Sequence, residues 1–191
     1  MEIIDLFSGM GGWAKGLIDA GHDVTGYDIV DFRTVYPGKF IQVDLLTFND
    51  FPHVDVVVAS PPCTEFSKTS LPSTWRSVVL YPPNISSGLK LWNRARKIID
   101  DNIKPKYYIL ENVRGAQKWV GMAREHKGSR YLWGNYPDFD VLNSKELYGK
   151  MHVTSSKNRA ILRSIIPYPI SRSLGDKLRE LERNTYKPLN V

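Results

Sequence analysis

Apolar positions in this chain follow two rhythms. Short bursts at EIIDLF (2–7), DVTGYD (23–28), KFIQVD (39–44), VDVVVA (54–59) and KYYILEN (106–112) have the length and composition of strands. VDVVVA is dense enough in valine to be buried on both faces of a parallel sheet. Between the bursts, WAKGLIDAG (13–21) and SSGLKLWNRARKIIDDN (86–102) carry the helical period. The first closes on Gly21, and the second sets Leu89, Trp92, Ala95, Ile98 and Ile99 on one face. DFDVLN (138–143) and RAILRSI (159–165) are predicted as sixth and seventh strands, and SRSLGDKLRELERN (171–184) as a basic amphipathic helix. Alternating strands and helices predict an α/β fold, a mostly parallel sheet of about seven strands with helices on both faces. Sheets of that kind bind ligands at the carboxyl ends of their strands.

The unusual clusters fall at those ends. DLFSGMGG (5–12) joins the first strand to a helix through three glycines, which lets backbone amides approach a ligand at the helix start. Asp28 ends the second strand, where a carboxylate can accept from ribose hydroxyls, and Asp44 ends the third, where one can accept from an adenine amino group. The alternative is two ordinary strand-end acids that form turns. Cys63 follows the stiff pair Pro61-Pro62 at the end of the valine strand. A lone cysteine serves as a nucleophile or as a small buried hydrophobe, and the polar neighbours Thr64, Glu65 and Ser67 speak against burial. YYILEN delivers Glu111 and Asn112 to the same sheet edge, where a partly desolvated carboxyl has a raised pKa and can share a proton. An end-of-strand acid is the alternative. Residues 60–85, rich in Pro, Ser and Thr, form a long loop of the kind that is usually functional inside a compact domain.

The chain has 191 residues, enough for one catalytic domain (1–170) with a basic helix and tail (171–191) packed on it or extending from it. With 42% hydrophobic and 24% charged residues it reads as globular. No apolar run is long enough to cross a bilayer, and MEIIDLF is acidic where a signal peptide is basic, so the expected location is cytoplasmic, or nuclear in a eukaryote, with no secretion. One cysteine excludes an internal disulfide, and His22, His53, His126 and His152 have no metal-ligand spacing. Charge is segregated. Residues 1–60 hold 3 basic and 9 acidic side chains, whereas residues 61–191 hold 23 and 11. A basic later segment suits a polyanionic partner, nucleic acid first among them.

In order and spacing, DLFSGMGGW, SPPCTEFS, ENV and VLNSKELYGKMHVTSSKNRAIL resemble the motifs of the S-adenosylmethionine-dependent cytosine carbon-5 DNA methyltransferases, over roughly residues 2–166. The resemblance implies a Rossmann-like methyltransferase fold, S-adenosylmethionine as methyl donor with S-adenosylhomocysteine as product, and DNA as partner, a duplex with a flipped cytosine. It assigns Phe7, Gly9, Gly11 and Gly12 to the cofactor turn, Asp28 and Ile29 to the ribose, Asp44 and Leu45 to the adenine, and Pro62 to the cofactor side of the nucleophile loop. Cys63 would be the covalent nucleophile at cytosine carbon 6, and Glu111 the group that bonds the ring nitrogen and exocyclic amine. Ser67, Asn112 and Lys157 fall on the substrate side, and Arg159 would bind the base carbonyl or brace the pocket. Trp75, Arg76, Tyr81, Lys68 and Lys90 supply stacking and phosphate-binding groups in or beside the 64–85 loop.

This sequence departs from the family at several points. Thr64 stands where glutamine is usual, and the usual Gln-Arg-Arg alternation appears as Ser155, Lys157 and Arg159. About 25 residues follow RAILRSI, with no evident target-recognition domain or returning cofactor motif. That implies relaxed or very short sequence specificity, or a partner subunit that supplies recognition. The same chemistry on RNA or a free cytosine nucleotide, and a noncatalytic DNA-binding subunit, are the competing readings.

Overall fold

The computed structural model describes residues 1–67, 85–141 and 165–185. Seven strands form one sheet: β1 (Glu2–Leu6), β2 (Asp23–Asp28), β3 (Lys39–Gln42), β4 (Val56–Ala59), β5 (Tyr107–Asn112), β6 (Glu125–Lys127) and β7 (Arg130–Asn135), in spatial order β3-β2-β1-β4-β5-β7-β6. The first five are mutually parallel; β7 runs antiparallel to β5, and β6 to β7. From β1 the chain first builds outward to β2 and β3, then returns to the other side of β1 with β4. This reversal makes the carboxyl ends of β1 and β4 a topological switch point, the place where sheets of this kind bind ligands.

Side chains alternate across the pleat, so the central strands feed two cores. Ile3, Val56, Val58, Ile109 and Leu132 face one layer, with Trp13, Ala14 and Leu17 of α1 (Gly12–Asp19). Ile4, Leu6, Val57, Ala59 and Leu110 face the other, with Trp92 and Ala95 of α2 (Ile85–Lys97) and with Ile98, Ile99 and Ile103, where that helix widens into a π-helical turn, Ile98–Ile103. A short helix α3 (Gln117–Val120) follows β5.

The chain's last helix, α4 (Tyr168–Thr185), starts three residues before the predicted one and packs on α1. It buries Ile170, Leu174 and Leu178 in the first core. Its seat is close: a Cβ on Gly175 would stand 2.7 Å from that of Ala20.

The antiparallel edge differs from the sequence expectation. Residues 138–141 form no strand; Phe139 instead folds into the first core beneath Tyr136. The rest of 138–143, and 159–164, lie outside the described residues. The β6–β7 hairpin, turned at Gly128-Ser129, builds that edge.

Candidate active site

The turn after β1 is held in left-handed backbone. Phe7 (φ 55°), Gly9 (φ 50°) and Gly11 (φ 84°) all adopt it, and for Phe7, which has a Cβ, this is strained. Gly11 accepts from Lys15 N at 3.0 Å and opens α1, while its own amide returns to Ser8 O at 3.0 Å. A side chain at Gly11 would strike Pro37 Cδ at 2.4 Å, whereas one at Gly9 would meet nothing within 4 Å among the described residues. Of the turn glycines, Gly9 borders open space and Gly11 is spent on packing.

Asp28 binds the turn directly. Its Oδ2 accepts from Gly9 N at 2.9 Å and its Oδ1 from Val30 N at 3.0 Å, leaving further lone pairs on each oxygen. Ile29 beside it is 61% exposed, an apolar side chain left uncovered at the carboxyl end of β2. Asp44 is exposed, and its Oδ1 accepts from Leu46 N at 2.9 Å. Leu45 turns its side chain into the second core, so only its backbone lies at the sheet edge.

Arg94 of α2 holds that edge. Its Nε donates to Leu45 O at 2.6 Å, and its Nη2 to Asn49 Oδ1 at 2.8 Å and to Phe48 O. Sequence reasoning had passed over it.

Cys63 sits half-buried one loop beyond β4. Behind it a single 3-10 turn, Thr64–Phe66, buries Phe66, whose amide donates to Cys63 O at 3.1 Å. Pro61 is buried and Pro62 exposed. Asn112, fully buried, donates to Pro61 O at 3.0 Å and accepts from Val113 N at 2.8 Å. Its amide therefore splints the ends of β4 and β5 together.

Ala59 pairs with Leu110, which brings Ser60 level with Glu111. Glu111 is 4% exposed, and burial pushes its carboxyl up, opposed by Arg130 and by a hydrogen bond from Ser60. Ser60 Oγ in turn accepts from Trp13 Nε1 at 3.0 Å. Arg130, the first residue of β7, is itself buried, with Nη1 3.4 Å from Glu111 Oε1 and Nη2 donating to Ile165 O at 2.9 Å. The Cys63 thiol is pushed up by burial and by Glu111, and drawn back by Arg130.

Cys63, Glu111, Gly9 and Asp28 thus occupy one sheet edge. Ser67 is half-buried on the strand-like exit of the 3-10 turn. Lys157 and Arg159 lie outside the described residues, as do Lys68, Trp75, Arg76, Tyr81 and Ser155; Lys90 is exposed on α2. Arg130 and the Ile165 carbonyl were missed. The signal for the first was the turn Lys127-Gly128-Ser129 followed by RYLWGN, a hairpin pattern that delivers an arginine to a strand start.

Residues 1–120 match the family model of the C-5 cytosine-specific DNA methylases, more than half of the chain, and the chain belongs to that family. The type II methyltransferase M.FnuDI of Fusobacterium nucleatum is 26% identical over 204 residues, which span 96% of this chain and 56% of that protein. M1.HphI of Haemophilus parahaemolyticus, also a type II methyltransferase, is 31% identical over 128 residues, 59% of this chain and 32% of its own. A crystal structure of a DNMT2 variant from Spodoptera frugiperda aligns with TM-score 0.42 at 20% identity, over 62% of this chain and 37% of that one. The chain spans about half the length of M.FnuDI and about a third of M1.HphI. Among the described residues no helix is long and apolar enough to cross a membrane.

Proposed function

We propose that the protein transfers a methyl group from S-adenosylmethionine to carbon 5 of cytosine in DNA, through a covalent adduct of Cys63 at carbon 6. The observation that carries this reading is the placing of a half-buried thiol and a buried carboxyl at the sheet edge that also carries the glycine turn. The turn fits an adenosine-containing donor. Gly9 leaves open space, Asp28 keeps lone pairs for hydroxyls, and Ile29 offers an uncovered apolar surface for a flat ring. When bound, S-adenosylmethionine supplies an electrophilic methyl group on a sulfonium.

The chain's own residues make the base reactive. Cytosine carbon 5 is a poor nucleophile until the ring becomes an enamine. Addition of the Cys63 thiolate to carbon 6, with a proton shared from Glu111 to the ring nitrogen, forms that enamine. Carbon 5 then takes the methyl group. Loss of the carbon 5 proton and departure of the Cys63 sulfur restore the aromatic ring. For a duplex substrate the base must first leave the stack.

A second reading, a noncatalytic subunit that needs a partner, draws support from Ser155 and Lys157, which stand where the family's motif usually has glutamine and arginine. One experiment separates these readings. The purified protein is incubated with labelled S-adenosylmethionine and, separately, duplex DNA, single-stranded DNA, transfer RNA or deoxycytidylate, with Cys63→Ala in parallel. 5-Methylcytosine in the duplex pool alone, absent with Cys63→Ala, is the expected result. Product only in transfer RNA or deoxycytidylate would reassign the substrate, and none in any pool would favour the subunit.

A further inference from the structure

Around this sheet edge runs a closed circuit of contacts. From α1, Trp13 donates to Ser60 at the end of β4, and Ser60 bonds Glu111 at the end of β5. Arg130 of β7 stands against Glu111 and donates its other arm to Ile165 O. The next residue closes the circuit, because its backbone lies on Gly12 so tightly that a Cβ there would stand 2.5 Å from Ile166 N. Gly12 adjoins Trp13.

Residues 165–167 lead directly into α4, which is seated on α1. The carbonyl that fixes the Arg130 fork is therefore placed by the docking of the last helix. At 3.4 Å, the Arg130–Glu111 contact is longer than the usual 2.7–2.9 Å of a charge-assisted bond, whereas the bond to Ile165 O is 2.9 Å, so the carbonyl holds the fork more closely than the carboxyl does.

We propose that Arg130 is a positioning residue that makes the Cys63–Glu111 pair depend on the seating of α4 against α1. The proposal rests on Cys63 and Glu111 being the reactive pair, but it concerns the state of the thiol before any substrate binds. Three charged groups bear on Cys63: Glu111 from β5, Arg130 from β7, and Glu65 from its own turn. Of these three charges among the described residues, Arg130 is the one that favours the thiolate, alongside a backbone hydrogen bond at Cys63 itself. Lifting α4 would draw Ile165 O away, swing the fork, and weaken that effect at a distance.

Cys63 is the sole cysteine of the chain, so alkylation by iodoacetamide, followed by intact mass, reports on this thiol alone. The rate is measured against pH for the wild type, Arg130→Met, Arg130→Lys and Gly175→Ala, with circular dichroism and melting curves to establish folding. Arg130→Met is expected to raise the midpoint by about one pH unit, a drop of about tenfold in rate below it. Arg130→Lys, which keeps the charge without the fork, is expected to shift it less. Gly175→Ala, which pushes α4 off Ala20, is expected to shift it in the same direction as Arg130→Met. Should Gly175→Ala not fold, Gly12→Ala presses directly on residue 166 and takes its place.

An unchanged midpoint in Arg130→Met overturns the role of Arg130. A shift there with none from α4 displacement overturns the coupling. The functional reading fails separately, by absence of methyl transfer in a protein whose thiol still responds as expected.

Discussion

Tyr36 donates its hydroxyl to Oδ2 of Asp5 at 3.1 Å, with both residues buried directly under the glycine turn. Asp5 Oδ1 has no hydrogen-bond partner among the described residues. Burial raises the Asp5 carboxyl well above the usual range, the Tyr36 bond offsets part of this, and Asp28 adds to the rise. The folded protein therefore holds a proton here that the unfolded chain releases near pH 4. The stability this group contributes is complete below that value and is lost as pH climbs toward the raised one. Asp5→Asn removes the titration while keeping an acceptor for Tyr36. Melting curves of the two proteins from pH 4 to pH 8 are expected to converge or cross in favour of the variant as pH rises; parallel curves would show that Asp5 is not protonated in the fold.

Gly11 and Gly9 separate packing from binding. Gly11→Ala places a Cβ against Pro37 at left-handed φ and is expected to lower stability by about 1–3 kcal/mol, read by denaturant titration. Gly9→Ala carries backbone strain but no clash, so a smaller stability loss is expected. Its larger effect is expected in weakened S-adenosylmethionine binding, measured by calorimetry. Equal binding by the two variants and wild type would remove the turn from the cofactor site.

Arg94 tests the third strand end. Arg94→Ala frees Leu45 O, Phe48 O and Asn49 from their common donor. KM for S-adenosylmethionine is expected to rise about tenfold, equivalent to 1.4 kcal/mol, with kcat little changed. A fall in kcat at constant KM would place this loop outside cofactor binding.

Glu111→Gln keeps the shape of the buried group but cannot share a proton with the ring nitrogen. A decrease of about 10²–10⁴ in kcat is expected, with KM for DNA nearly unchanged. Steady-state kinetics with duplex DNA provide the check, and a decrease below tenfold would leave Glu111 a structural acid.

The five parallel strands were legible because each is a short apolar run closed by a polar residue, and that closing residue is what the sheet edge presents. Asp28 and Glu111 could be named for the same reason, and Cys63, four residues past the end of β4, as the lone cysteine after Pro61-Pro62. The β6–β7 hairpin was not legible: Glu125, His126 and Lys127 are charged or polar on an edge strand with little to bury, so no alternating pattern marks them. DFDVLN alternates like a strand, yet in 138–141 the buried Phe139 anchors irregular chain instead. Asn112 could be placed at the substrate-side edge from its position after Glu111, but its bonds to Pro61 O and Val113 N, which tie the ends of β4 and β5, left no trace in the sequence. Arg130 escaped notice because its partners, Glu111 and Ile165, are 19 and 35 residues away in sequence. Contacts of that separation leave no local trace.

The central claim is that Cys63 attacks cytosine carbon 6, and it is tested most directly by trapping the adduct. In duplex DNA containing 5-fluorocytosine, methylation at carbon 5 leaves a fluorine where the departing proton would be, so the sulfur cannot be expelled. Incubation with S-adenosylmethionine, denaturation, digestion and mass spectrometry should then show a methylated fluorocytosine joined to the peptide that contains Cys63. No denaturation-resistant adduct in a protein that nonetheless makes 5-methylcytosine, or an adduct on any other residue, would contradict it.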